Sequence, residues 1–311
     1  MNRVYKMILA GMMVLLGFPS CGTAQHVISD IEETFQGIEE VVVVGGSLEV
    51  SYEGSDSDEL FLSAYLESNQ KDGQEITYQV EGKRLRVEFR RQGSGGWGNL
   101  RNKGFISLVG PEGMKIEINC SSGKMFISNV VSDKIDLGVS SGKIEARNLS
   151  SDRIHLTASS GKMDVEGVNG NVECKASSGG GRIAKVRGDV SLVGTSGSYE
   201  ISEVEGLVSG SLSSGSITLD EVGELGELTI SSGRVTATKA GLGEHTRLSG
   251  SSGSFTIQTD NDLEEFNYDL SASSGNLEVG NTKTGKKLNI DNGSNKTVSG
   301  SISSGRISIQ N

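Results

Sequence analysis

From Ile116 onward the apolar positions along the chain keep one register. Around Gly142 they are Ile135, Leu137, Val139, Ile144, Ala146 and Leu149; around Gly161 they are Ile154, Leu156, Ala158, Met163, Val165 and Val168. Counted from the glycine, positions −7, −5, −3, +2, +4 and +7 are apolar in nearly every copy. Alternation by two on either side predicts two short strands per repeat, each with one face turned inward. Between −3 and +2 the alternation changes phase, and there the chain repeats Ser-Ser-Gly. Its glycines are Gly123, Gly142, Gly161, Gly179, Gly197 (there Thr-Ser-Gly), Gly215, Gly233, Gly253, Gly275 and Gly305. The first seven stand 19, 19, 18, 18, 18 and 18 residues apart, a period that signals a solenoid. The phase change predicts a bend at each triplet, where glycine takes backbone angles that other residues avoid.

The fold class that follows is all-β: a single β-solenoid, parallel β-helix-like, with coils of 18–19 residues and an irregular all-β N-terminal cap. About ten coils at about 4.8 Å each predict a rod near 50 Å long. No coil can bury its apolar face alone, so coil-on-coil contact carries the stability. The chain divides into residues 1–24, a signal peptide; 25–115, a cap or head region; and 116–311, the repeat solenoid.

Within the cap, residues 25–35 show no clear period. Residues 41–52, 60–66, 76–80, 84–90 and 105–109 read as strands between turn signals, with Glu81-Gly82-Lys83 a hairpin turn. An open solenoid end exposes strand edges, so a cap continuous with the rod is expected. The glycine-rich loop 92–103 carries the single tryptophan, Trp97, which suits a ligand-stacking platform or a ring folded over the cap's apolar edge. Late coils loosen: the spacing grows to 20, 22 and 30 residues. Residues 259–265 read as an acidic insertion and residues 288–293 as a degenerate coil. The chain ends inside the pattern, so residues 281–297 or a partner must cover the last edge.

Composition sharpens this picture. There are 44 glycines and two prolines, and the net charge is −11, which argues against a nucleic-acid partner. Arg3 and Lys6 precede an apolar run over residues 7–19, the pattern of an export signal. That run is too short to span a membrane. Two cleavage readings fit. Phe18-Pro19-Ser20-Cys21 is an imperfect lipobox that would leave Cys21 lipidated, and Gly22-Thr23-Ala24 before Gln25 suits ordinary signal peptidase. Either places the mature chain in a bacterial cell envelope as outer-membrane lipoprotein, surface protein or periplasmic protein, with a lipid anchor as the membrane attachment. Cys120 and Cys174 fall on different inward columns about 14 Å apart along the axis, beyond disulfide reach, and read as small buried hydrophobes.

Candidate chemistry is sparse. His26, His155 and His245 have no cysteine or ligand-spaced carboxylates beside them, so no metal, cofactor or catalytic residue is assigned. Asp220 with Glu221, and Asp260 with Asp262, read as solvated turn carboxylates rather than calcium ligands. One outward column stands out: position +1 holds Lys124, Lys143 and Lys162 in successive coils. Such a stripe could meet an anionic glycan, or offset neighbouring glutamates.

The repeated Ser-Ser-Gly units alternate with Val168-Asn169-Gly170-Asn171-Val172, Val186-Arg187-Gly188-Asp189-Val190 and Val204-Glu205-Gly206-Leu207-Val208. They resemble the bacterial "putative adhesin" family of exported β-solenoid proteins. Phe35-Gln36-Gly37-Ile38 and the strand after it are similar to the start of autotransporter-adhesin-like head domains. The resemblance implies a surface or periplasmic role in adhesion and supplies no catalytic residues. The expected function is therefore a non-enzymatic envelope protein whose long surface binds glycan, matrix or envelope components, with Lys124, Lys143, Lys162 and Trp97 as candidate ligand contacts. Two alternatives stand beside it: a β-helix polysaccharide-active enzyme, and an envelope assembly or stress factor with a protein partner.

Overall fold

The computed structural model describes residues 25–91 and 101–311; the signal segment with Cys21 and the loop residues 92–100 with Trp97 lie outside them. The first strands are β1 (His26–Gln36), β2 (Glu40–Gly46), β3 (Glu49–Ser55), β4 (Glu59–Ser68), β5 (Gln74–Glu81), β6 (Arg84–Arg91) and β7 (Asn102–Pro111). The coils follow as β8 (Lys115–Cys120), β9 (Lys124–Val131), β10 (Ile135–Val139), β11 (Lys143–Ala158), β12 (Lys162–Ala176), β13 (Gly180–Arg187), β14 (Val190–Ala240) and β15 (Arg247–Gln258). The chain finishes with β16 (Asn267–Val279), β17 (Thr282–Thr284), β18 (Lys287–Ile290) and β19 (Thr297–Gln310). Several strands run through corners, so the two arms of a coil are often one continuous β segment. Residues 25–35, which lack an apolar period, nonetheless form β1, because antiparallel pairing with β4 supplies the order that their own pattern does not.

Coils stack in parallel and in register. Ile135, Leu137 and Val139 lie between Ile116, Ile118 and Cys120 on one side and Ile154, Leu156 and Ala158 on the other. Ile144 and Ala146 lie between Met125 and Ile127 and between Met163 and Val165. All six inward positions of the Gly142 and Gly161 coils are buried, in one core cluster that continues from the cap to the last coil. Cys120 and Cys174 sit in this core as free thiols.

The triplet glycines correct the bend argument. Only Gly179, Gly197, Gly215, Gly233 and Gly305 adopt a left-handed φ. What all ten share is close approach: a Cβ on any of them would lie 2.6 Å or less from a backbone carbonyl oxygen of the neighbouring coil. Glycine is needed mainly because coils stack too tightly there for a side chain, and only in half the coils because of backbone angle.

The second phase change, from +4 to +7, has a separate cause. Position +6 is left-handed in seven successive coils, at Asn129, Asn148, Gly167, Lys185, Glu203, Glu221 and Lys239. One extra residue in this conformation is a bulge, and it returns +7 to the interior. Asn148 donates from Nδ2 to Oδ1 of Asn129 at 3.1 Å, lacing two of these bulges together.

Both ends depart from sequential stacking. In the cap, β2 pairs in parallel with β8, and β3 with β9, so residues 40–55 form a coil ahead of the first Ser-Ser-Gly. Outside it, β6 and β7 pair in parallel with β2 and β3, which adds two further arms on that side. Antiparallel strands then close the edge: β5 on β6, β4 on β7, and β1 on β4. At the other end β19 inserts between β15 and β16. The coil of Gly305 is thus internal, and that of Gly275 is outermost. Residues 288–293 are not a degenerate coil: β18, which overlaps them, runs antiparallel to β16, as β17 does, and the two cover the last edge. Residues 259–265 contain a short 3₁₀ turn, Leu263–Glu265, capped by the Asp262 side chain.

Candidate functional site

Because register holds along each arm from coil to coil, with shifts such as that between Ser150 and Arg153, outward side chains form columns. Position −4 places Asn119, Gly138 and Thr157 side by side, followed by Lys175 and Val193. Next to them stand the first serines or threonine of the triplets, including Ser121, Ser140, Ser159, Ser177 and Thr195. Together these columns line an open groove of about 750 Å³ that reaches from Val44 to Ser213. Its lining mixes serine and threonine residues with Val44, Val139, Ala158, Ala176 and Val193, and Lys175 is the one charged residue lining it. Backbone hydrogen bonds such as Ser141 N to Ser121 O at 2.7 Å hold its rim coil to coil.

The lysine column forms as the period predicts: Lys143 is flanked in register by Lys124 and Lys162. The three differ in their partners. Lys143 Nζ lies 2.6 Å from Glu145 and 3.9 Å from Asp164, whereas Lys124 and Lys162 make no ion pair among the described residues. In the next coil the column is interrupted, because Gly180 is the register partner of Lys162 and Gly181 that of Met163. The missing side chains leave a notch of about 480 Å³ lined by Lys143, Arg147, Lys162, Asp164 and Arg182 around the glycine floor. Arg147 is fixed by Nη2 to Asp164 at 2.9 Å and by Nη1 donating to the Asp164 carbonyl at 2.8 Å. Arg182 reaches Glu200 only at 3.7 Å. Arg147 and Arg182 were not singled out from sequence, although positions +5 and +3 are outward by the same alternation that places the lysines.

Trp97 lies outside the described residues, but the strand after its loop carries another aromatic feature. Phe105 on β7 stacks on Tyr65 of β4, centroids 6.3 Å apart, and Phe105 and Phe61 are both exposed. Among the described residues no group of three or more His, Cys, Asp or Glu is placed to hold a metal ion. His155 meets Glu173 and His245 meets Glu224, each as a surface pair. Desolvation pushes the Cys120 thiol up to about 11 and the Cys174 thiol up to about 12, which leaves neither a nucleophile near neutral pH.

Parallel in-register coils, glycine-stacked corners and columned polar faces define a repeat β-solenoid with an extended outer surface. The chain belongs to the Toastrack DUF4097 family, whose model matches residues 38–310. No functionally curated protein matches it significantly. Among solved structures, it is similar to a "putative lipid binding protein" of Parabacteroides distasonis, with 17% identity, 91% of this chain and 97% of that one covered, and a TM-score of 0.46. It is also similar to a "putative adhesin" of Parabacteroides merdae (13% identity, 91% and 96% covered, TM-score 0.48) and one of Bacteroides fragilis (13%, 90% and 97%, 0.40).

Proposed function

We propose that this protein is a non-enzymatic component of the bacterial cell envelope that binds glycan chains laid along the axis of its rod. The observation that carries this reading is the groove of about 750 Å³. Its hydroxyl groups repeat at the coil spacing of about 4.8 Å, comparable to the length of one sugar residue. Repeat proteins use such continuous faces for extended recognition. The export signal read in the sequence places the protein where such polymers are met. Among the described residues no helix is long and apolar enough to cross a membrane, and retention in the envelope is assigned to lipidation at Cys21.

The test is incubation of the purified protein with a panel of host and bacterial polysaccharides, scoring retention and new reducing or unsaturated chain ends together. Retention without new ends is the expected result. Release of product would overturn the non-enzymatic reading, and absence of retention across the panel would overturn glycan binding. Labelling with radioactive palmitate, lost in Cys21→Ser, checks the anchor.

A further inference from the structure

The outward lysine column is interrupted at the coil of Gly179. After the triplet of Gly179 come Gly180 and Gly181, so the lysine column stops and both the +1 and +2 side chains are missing. Around the resulting notch stand four cationic side chains, Lys143, Arg147, Lys162 and Arg182, against one lining carboxylate, Asp164. The charges are not equivalent. Asp164 is held by Arg147 at 2.9 Å, with Lys143 at 3.9 Å and also engaged by Glu145. Lys162 has no ion pair among the described residues, and Arg182 has only the 3.7 Å approach of Glu200. Lys162, unpaired among the described residues, and Arg182, held only by that long pair, are therefore the cations best placed to meet an anion entering over the glycine floor. The notch also has a fixed shape: a Cβ at Gly181 would lie 2.6 Å from the Met163 carbonyl oxygen. The coils are packed too closely for the gap to be filled from within.

Resting on the glycan-binding reading, we propose that this notch is an oxyanion subsite: it takes a carboxylate or sulfate substituent of an acidic glycan lying along the lysine column, with Lys162 and Arg182 as its contacts. Arg offers a planar fork that matches an oxyanion's two oxygens, and Lys a point charge beside it. Lys124, two coils along the column and free of ion pairs among the described residues, would meet a second substituent of the same chain. Acidic residues elsewhere give the protein its net charge of −11, so an anionic polymer is steered to this face and repelled by the others.

The experiment compares the purified full-length protein with the double variant Lys162→Ser/Arg182→Ser and with a control double variant, Arg187→Ser/Lys239→Ser, which removes two cations that do not line the notch. Probes are chondroitin sulfate, polygalacturonate, neutral dextran and curdlan, and vesicles of phosphatidylglycerol with phosphatidylcholine, at two salt concentrations. Equal melting temperatures of all three proteins establish that folding is unchanged. The expected result is tighter binding of at least one acidic glycan than of neutral ones. That preference should weaken about fivefold to tenfold in the notch variant, two exposed ion pairs being modest each, and stay intact in the control. Neutral-glycan retention should be the same in all three. Equal binding of acidic glycan by the notch variant and the wild type would overturn the subsite while leaving glycan binding standing. Vesicle binding that depends on Lys162 and Arg182, without acidic-glycan binding, would overturn it in favour of a lipid headgroup. No retention of any glycan, acidic or neutral, would overturn both readings.

Discussion

Replacing Gly161 by alanine isolates the stacking constraint from the backbone-angle constraint. Gly161 is not left-handed, so alanine can adopt its φ without strain, and any cost comes from the added methyl group. That Cβ would lie 2.6 Å from the Gly142 carbonyl oxygen and 2.6 Å from Cγ2 of Val139. Ordinary contact begins near 3.4 Å, so the coils must part by about 0.8 Å, which stretches the Lys162 N to Gly142 O hydrogen bond from 3.0 Å to about 3.8 Å, past bonding range. Losing that bond costs about 0.5–1.5 kcal/mol, and overpacking the Val139 side costs about 1–3 kcal/mol. The expected total is about 2–4 kcal/mol. Gly113 provides the matched control: it is also not left-handed, and nothing lies within 4 Å of its would-be Cβ. There the same substitution should leave stability unchanged or raise it by about 0.4–1 kcal/mol, by restricting the unfolded chain. Urea unfolding followed by circular dichroism measures both. A Gly161→Ala midpoint equal to that of Gly113→Ala would refute the claim that carbonyl contact between coils selects the glycine.

Other features give further outcomes. Glu40 joins the cap to the first repeat coils, with Arg84 Nε at 2.7 Å and Lys134 Nζ at 2.9 Å, and Lys134 also holds Glu117 at 2.9 Å. Arg84 first, and then Lys134, hold the Glu40 carboxyl below the usual range. Its contribution is therefore present above the unfolded value of about 4.3 and lost as pH falls through the lowered folded value. Glu40→Gln should cost about 0.5–1 kcal/mol at pH 7 and approach zero cost at about pH 2–3; an unchanged cost in acid would exclude this linkage. Cys120 and Cys174, with thiols raised to about 11 and about 12 by burial, should resist iodoacetamide at pH 8 until urea is added, as read by peptide mapping. Glu203 is exposed and left-handed at φ 54°, so Glu203→Gly should raise the urea midpoint by about 0.5–1 kcal/mol equivalent; a fall would show that the side chain outweighs its strain.

Much of the interior was legible because a parallel solenoid turns sequence period directly into spatial register. The columns Ile116–Ile135–Ile154 and Lys124–Lys143–Lys162 are the same 19-residue spacing read twice, once inward and once outward. The same template fits residues 40–55 once Leu48 stands where the triplet glycine would be: Val41, Val43, Val50 and Tyr52 then occupy −7, −5, +2 and +4. This coil lacks the Ser-Ser-Gly signature, since its corner is Gly45-Gly46-Ser47. The bulge column was hidden for a different reason. Asn, Gly, Lys and Glu share no chemistry there, and only the odd step from +4 to +7 betrays that an extra residue must be absorbed. The notch needed both views: the glycine doublet was visible as Gly180-Gly181, but the arrival of Arg147 and Arg182 beside Lys162 depends on which outward columns share an arm.

Stacking order is also not supplied by the period. Every coil presents the same inner pattern and so accepts any other as a neighbour; the pattern specifies register, not adjacency. The two ends exploit this freedom in the same way. Each places a coil out of chain order and then switches to antiparallel pairing, β5 and β4 at one end and β17 and β18 at the other. Reversing strand direction is what ends the rod, because another parallel coil would find no matching edge on which to continue. At the far end this makes β19 an internal coil, paired on both sides through β15 and β16. Its loss would open two edges at once, whereas loss of an outermost coil exposes one. The 30-residue spacing between Gly275 and Gly305 is thus the length required for the chain to turn back, cover the last edge and return one coil inward.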